Sequence, residues 1–98
     1  MTIKKNKNGS AVTYAVSGRL DTTTAPELES AVKNELDGVT ELVFDFSELD
    51  YISSAGLRIL LAAQKKMNSQ GSMKVTGANE IVLEIFDVTG FSDILTIE

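Results

Sequence analysis

The sequence predicts an α/β domain built on a mixed, largely parallel sheet. Three observations carry that prediction. A hairpin signal sits near the N-terminus, at Asn8-Gly9. After it, short apolar strands alternate with amphipathic helices, in the order β-β-α-β-α-β-α with a short helical or strand segment at the end. The chain has 98 residues, enough for one core and one domain over residues 1–98. Alternation of this kind requires right-handed crossovers and places ligand or partner sites at the strand-to-helix turns.

Each element has its own signature. Asn8-Gly9 tolerates positive φ and predicts a turn joining a strand over Thr2–Lys5 to a second strand over Ala11–Gly18. In the second strand Val12, Tyr14 and Val16 share one face, and Thr13 and Ser17 the other. Thr24 with Glu27 three residues later has the capping-box spacing, and Pro26 suits a first turn. Leu28, Ala31, Val32 and Leu36 then recur at helical spacing, so a helix is expected over about Ala25–Asp37, stopped by Gly38. Glu41–Phe46 is short and mostly apolar, as a central strand should be.

A loop holding Glu48 and Asp50 is expected next, and Ser53-Ser54-Ala55-Gly56-Leu57 opens a second helix. Its stripe is Leu57, Leu60, Leu61 and Gln64, with Lys65 and Lys66 in the last turns and Gly71 beyond. Met73–Thr76 reads as a short strand. Asn79 is placed to cap a third helix carrying Ile81, Val82, Ile85 and Phe86, ended near Gly90. Phe91–Leu95 suggests a helical turn, and Thr96–Ile97 an edge strand.

Composition narrows the function. Net charge is −5, which disfavours a nucleic-acid backbone or an anionic membrane as direct partner. There is no histidine or cysteine, so His-activated nucleophiles and the usual zinc sites are excluded, and no disulfide can form. The start, MTIKKNKNGS, lacks the apolar core of a signal peptide, and no apolar run is long enough to insert in a bilayer. A complete, small cytoplasmic protein is the expectation.

The richest stretch is DYISSAGLRILL, Asp50–Leu61. Asp45 precedes it in the strand, Glu48 and Asp50 lie in the expected loop, and Gly56 permits close backbone approach. A serine before an apolar-periodic run is a preferred N-cap, whose loss costs ~1 kcal/mol. One hydroxyl suffices for that task, and two are present. The other reading is a phosphorylation switch. A phosphate adds about −1.5 to −2 charges, which a helix N-terminus tolerates, and beside Glu48 and Asp50 it would create a concentrated negative patch. The two readings are compatible. Asp21, Asp45, Glu48 and Asp50 lack the spacing of a calcium loop, and the glycines form neither known phosphate-cradle motif. No cofactor is expected.

Three blocks in order, GRLDTTTAPELE (Gly18–Glu29), LVFDFSELDYISSAGLRILL (Leu42–Leu61) and VLEIFDVTGFSDILTI (Val82–Ile97), resemble the STAS domain of the bacterial anti-sigma factor antagonist (anti-anti-sigma factor) family. The resemblance spans nearly the whole chain and is most specific in the middle block. It implies a STAS-like α/β fold, with a single layer of helices on a mixed, mostly parallel four- to five-stranded sheet. It also implies function without catalysis. The unmodified antagonist binds an anti-sigma factor of the serine-kinase type and frees a sigma factor. Phosphorylation at the start of the second helix ends binding, and a metal-dependent phosphatase of the PP2C type restores it.

By position, Ser54 is the implied phosphoacceptor, with Ser53 second. Many members carry an aspartate where Ser53 stands, and Ala55, directly before Gly56, offers no hydroxyl. The implied contact surface comprises Asp21, Thr22 and Thr23 from the first strand-to-helix turn, and Asp50, Tyr51, Ile52, Ser53, Ser54, Ala55, Gly56 and Arg58 from the second. Thr23 and Thr24 are equally suited to turn formation and helix capping. A competing expectation is a STAS subunit of a transporter complex, such as a lipid-exporting ABC system, in which Ser54 is a contact residue only. An isolated nucleotide-binding module finds little support without a phosphate loop.

Overall fold

The computed structural model describes residues 1–98 as a four-stranded sheet in the order β1-β2-β3-β4. The strands are β1 (Thr2–Asn8), β2 (Ala11–Leu20), β3 (Glu41–Ile52) and β4 (Ser72–Thr76). The helices are α1 (Ala25–Glu35), α2 (Ser54–Gln70) and α3 (Glu80–Thr89), followed by a 3-10 turn at Phe91–Asp93. β1 pairs with β2 antiparallel, and β2-β3 and β3-β4 are parallel. The mixed, mostly parallel sheet is thus as expected. Ile97 adds a single parallel bridge to Val75, and not a full fifth strand.

The pleat decides which face is covered. Val12, Tyr14 and Val16 of β2, Leu42, Phe44 and Phe46 of β3, and Met73 and Val75 of β4 are all buried. Leu28 and Val32 of α1, Leu57, Leu60, Ala63 and Met67 of α2, and Val82 and Phe86 of α3 join them in one cluster. The alternate residues Thr13, Ala15, Ser17, Val43, Asp45, Lys74 and Thr76 are not buried. All three helices therefore form one layer on one side. Burying a single leucine or phenylalanine contributes about 1.5–3 kcal/mol, so this shared cluster is the main stabilising feature of the fold.

The structure corrects several local expectations. The hairpin loop is Gly9-Ser10, one residue later than expected, with Asn8 paired to Ala11 and Gly9 at φ +64°. α1 ends at Glu35, two residues early. α2 ends at Gln70 with Gly71 beyond it, as expected, and Lys65 and Lys66 lie just before its final turn. The Thr24–Glu27 capping box does not form, because Thr24 has a helical backbone and its side chain makes no cap bond. The Asn79 cap does form. Its Oδ1 accepts from the Val82 N–H at 2.8 Å, and its Nδ2 donates to the Leu49 carbonyl at 3.0 Å.

The largest correction concerns β3. Glu48 and Asp50 are not in a loop, since the strand continues to Ile52. Two bulges explain why alternation hid it. The register steps from Ala15↔Asp45 to Ser17↔Glu48, and from Gly18↔Leu49 to Arg19↔Tyr51. Each step inserts one extra residue in β3, Ser47 and then Asp50. Phe46, Leu49 and Ile52 consequently all point inward at a spacing that is neither strand-like nor helical overall.

Candidate functional site at the ends of two strands

β2 and β3 end side by side, with Leu20 paired to Ile52. Each strand then turns into a helix, so the Asp21–Thr24 turn and the Ser53–Ser54 junction share one edge, as the topology predicts. The Ser53 N–H donates to the Leu20 carbonyl at 2.8 Å and ties the two turns together. Gly56 in the first turn of α2 sits directly on both strand ends. A Cβ there would fall 2.7 Å from Ile52 Cγ1 and 2.8 Å from Leu20 Cγ.

The first turn is internally bonded. Asp21 Oδ1 accepts from the Thr23 hydroxyl at 2.8 Å, the Thr23 N–H at 3.0 Å and the Thr24 N–H at 3.2 Å. These bonds, the Thr23 hydroxyl first, hold the Asp21 carboxyl below the usual carboxylate range. Thr24 Oγ1 accepts from the Asp21 N–H at 2.9 Å and donates to the Arg19 carbonyl at 2.8 Å. Asp21 replaces Thr24 as the organiser of the helix start, so its role here is to shape the turn. Thr22 and Thr23 remain exposed on its outside.

At the second turn Ser53 is the N-cap of α2 by backbone, with φ −96° and ψ 176°. Its hydroxyl makes no cap bond, and the Oγ is buried without a hydrogen-bond partner in the protein. The expectation that a serine side chain caps this helix is therefore not met. Ser54 is the first helical residue and is exposed. Its place in a 17-residue helix puts it beside N–H groups that have no intrahelical acceptor. Arg58 is exposed one turn on, and Ala55 is half-buried.

Not every residue of the expected contact surface lies on the surface. Ile52 is 1% exposed and Gly56 is buried, so they form the floor of the edge and not its face. Asp50 is exposed at the second bulge. Tyr51 is half-buried under Arg19, whose guanidinium stands 4.4 Å above the ring centroid while its Nε lies 3.8 Å from Asp21 Oδ2. Sequence reasoning missed this stack. The pairing of Arg19 with Tyr51 across the strands would have revealed it, had the bulges been placed.

Asp45 and Glu48 do not join the serines. They line a shallow groove on the helix-free face with Lys4, Ser17 and Ser47. Asp45 Oδ1 accepts from the Ser47 N–H at 3.0 Å and the Ser47 hydroxyl at 2.7 Å, which holds its carboxyl low. The negative patch expected around Ser54 from Glu48 and Asp50 thus loses Glu48.

Between the N-terminal ends of α1 and α2 lies an open cleft of 170 Å³, lined by Thr22, Ala25, Pro26, Glu29, Ala55, Arg58 and Ile59. No concavity in the protein exceeds 260 Å³. That is below the roughly 300 Å³ at which small-molecule pockets begin. The cleft has the size to accept side chains of a partner protein. No three acidic side chains converge as a metal site would require, and no helix is long and apolar enough to cross a membrane.

Comparison with known proteins agrees with this geometry. The family model described as STAS domain matches residues 2–98. The anti-sigma-B factor antagonist of Bacillus subtilis is 29% identical over 96 residues, covering 97% of this chain and 86% of its own. The crystal structure of an anti-sigma factor antagonist from Mycobacterium paratuberculosis superposes with a TM-score of 0.88 at 27% identity, covering 98% of this chain and 83% of that one. The fold is also shared with the Bacillus cell fate determinant SpoIIAA in its phosphorylated form, at a TM-score of 0.78 and 14% identity, covering 99% of this chain and 91% of that one.

Proposed function

The chain belongs to the STAS domain family, and on that premise we propose that it is an anti-sigma factor antagonist whose binding edge is switched by phosphorylation of Ser54. The observation that carries this reading is the placement of Ser54. It is the exposed first residue of α2, on the edge where the Leu20–Ser53 bond joins two strand-to-helix turns. Relatives named as antagonists of anti-sigma factors support the role, and the solved structure of a phosphorylated protein of the same fold is consistent with the switch.

In the unmodified state the proposed contact residues are Thr22, Thr23, Asp50, Tyr51, Ala55 and Arg58 together with the small neutral hydroxyl of Ser54. A partner surface packs against it and fills the α1–α2 cleft. A serine kinase, the anti-sigma factor itself, transfers the γ-phosphoryl group of ATP to Ser54 Oγ. The hydroxyl proton leaves and ADP is released. The dianion then introduces bulk, a desolvation cost and like-charge repulsion into the interface. The helix N-terminus stabilises the phosphate, so binding changes while the fold persists. A PP2C-type phosphatase reverses the step. The protein performs no catalysis and acts in the cytoplasm by contact alone. Ser53 is the less suitable acceptor because its hydroxyl is buried.

The test is incubation with the cognate anti-sigma kinase and ATP, followed by mass-spectrometric mapping and a binding assay. Phosphate on Ser54 and loss of the complex are expected, with no incorporation in Ser54→Ala. Incorporation that is absent from the wild type, or unchanged in Ser54→Ala, overturns the reading. So does purification of the native protein in a membrane transporter complex in place of the kinase.

A further inference from the structure

We propose that Arg58 is the built-in counter-charge of a phosphate on Ser54, and that modification withdraws this cation from the α1–α2 cleft. The inference rests on the reading of Ser54 as phosphoacceptor.

Ser54 and Arg58 are both exposed and lie four residues apart on α2. Residues at that spacing stand on one face of a helix, within reach of each other's side chains. The order is the favourable one, with the anion nearer the helix N-terminus and the cation toward its C-terminus.

The cation is uncommitted in the unmodified protein. The five ion pairs use Lys5, Arg19, Lys33, Lys66 and Lys74. Arg58 is in none of them. Glu29 lines the same cleft, but its ion pair is with Lys33 at 4.0 Å on its own helix. No acidic residue occupies the first turn of α2. An exposed arginine that is in no ion pair and lines a cleft sized for side chains is available to a carboxylate of a bound partner.

Phosphorylation changes that availability. A phosphoserine offers three acceptor oxygens, and a guanidinium presents a planar fork that bonds two of them at once. The pair is intramolecular, so it forms ahead of any contact between molecules. The modified protein therefore both repels its partner at Ser54 and removes the arginine that the partner's carboxylate would meet.

The experiment installs phosphoserine at position 54 of the full chain by amber suppression, so no kinase is needed. The phosphate is titrated by ³¹P NMR in the wild-type background, in Arg58→Gln and in Arg58→Lys. Its midpoint is expected to lie about 0.3–0.7 pH units lower with Arg58 than with glutamine, the shift of a helical ion pair strengthened by double hydrogen bonding, and lysine should recover part of it. The Arg58 Nε–H resonance should move through the same midpoint. Equal midpoints in all three proteins, or an Arg58 resonance that ignores the titration, overturn the proposal. A kinase that fails to modify Ser54 in the separate assay would defeat the switch reading and leave this phosphate–arginine result standing, so the two failures are distinguishable.

Discussion

The Ser53 N–H donates to the Leu20 carbonyl at 2.8 Å, so the start of α2 is bonded to the end of β2, a strand 33 positions earlier in the chain. This one bond makes the two turns a single edge. It also means that substitutions under the edge should be felt as stability, and substitutions on it as binding.

Gly56→Ala tests the floor. Alanine ordinarily stabilises a helix relative to glycine by about 1 kcal/mol. Here the added methyl meets Ile52 Cγ1 and Leu20 Cγ at under 3 Å. Overpacking of that kind costs about 1–3 kcal/mol and should outweigh the helical gain. A lower urea midpoint is expected, and a raised one would show that α2 stands off the strands.

Ser53→Ala tests the absent cap. A working serine cap is worth ~1 kcal/mol. Because the Ser53 hydroxyl bonds nothing and is buried, its removal should leave stability unchanged or slightly raised. Equilibrium urea unfolding would measure this, and a loss near the full cap value would contradict the geometry.

Gly71 and Gly38 separate two reasons for a glycine. Gly38 has φ +78° with open space where a Cβ would go, so Gly38→Ala should cost about 1–2 kcal/mol from backbone strain alone. Gly71 has extended backbone, φ 173°, yet a Cβ would fall 1.9 Å from the Thr40 carbonyl oxygen, which accepts from the Ser72 N–H at 2.9 Å. Gly71→Ala should therefore be the more damaging, by about 3 kcal/mol or more. Parallel thermal or urea melts would rank the two variants.

Acid should destabilise the protein in a defined window. Asp21, Asp45 and Glu35 all have carboxyls held below their ordinary values, the last chiefly by the Tyr14 hydroxyl that donates to Glu35 Oε1 at 2.8 Å, and then by Lys5. A depressed folded-state value gives stability that is fully present above the ordinary carboxylate range and lost as pH falls through the folded values. With no histidine in the chain, the urea midpoint should stay flat from about pH 5.5 to 8 and drop below about pH 4. Tyr14→Phe should shrink the acid-sensitive part contributed by Glu35.

Much of this architecture was legible in the sequence because the signals were local. The β-α alternation, the Asn79 cap and the inward set Val12, Tyr14 and Val16 each follow from spacing within a few residues. What was not legible depended on pairing between distant strands. Nothing in SELDYI, read alone, says that it pairs with β2, because two bulges break its period. The capping-box pattern at Thr24–Glu27 failed for a related reason, since the Asp21 carboxylate takes the Thr24 N–H that Glu27 would accept, and Thr24 Oγ1 is turned to the Asp21 N–H and the Arg19 carbonyl. At the site, spacing correctly brought both turns to one edge. It did not distinguish the exposed Ser54 from the buried hydroxyl of Ser53, or the floor residues Ile52 and Gly56 from the face.

β3 spends 12 residues alongside the 10 of β2, and the two ends still align, Ala11 with Glu41 and Leu20 with Ile52. The surplus is Ser47 and Asp50. Those two positions are slack in the chain. A shorter version lacking both would restore strict alternation through Phe46, Glu48, Leu49, Tyr51 and Ile52 and would still deliver Ser53 to the Leu20 carbonyl. Removal of a residue from the unbulged part of the strand, such as Phe44, would instead put the residues on one side of the deletion onto the wrong face of the sheet. Length changes in this strand are thus confined to its bulges, where the molecule absorbs them without moving the edge that it presents.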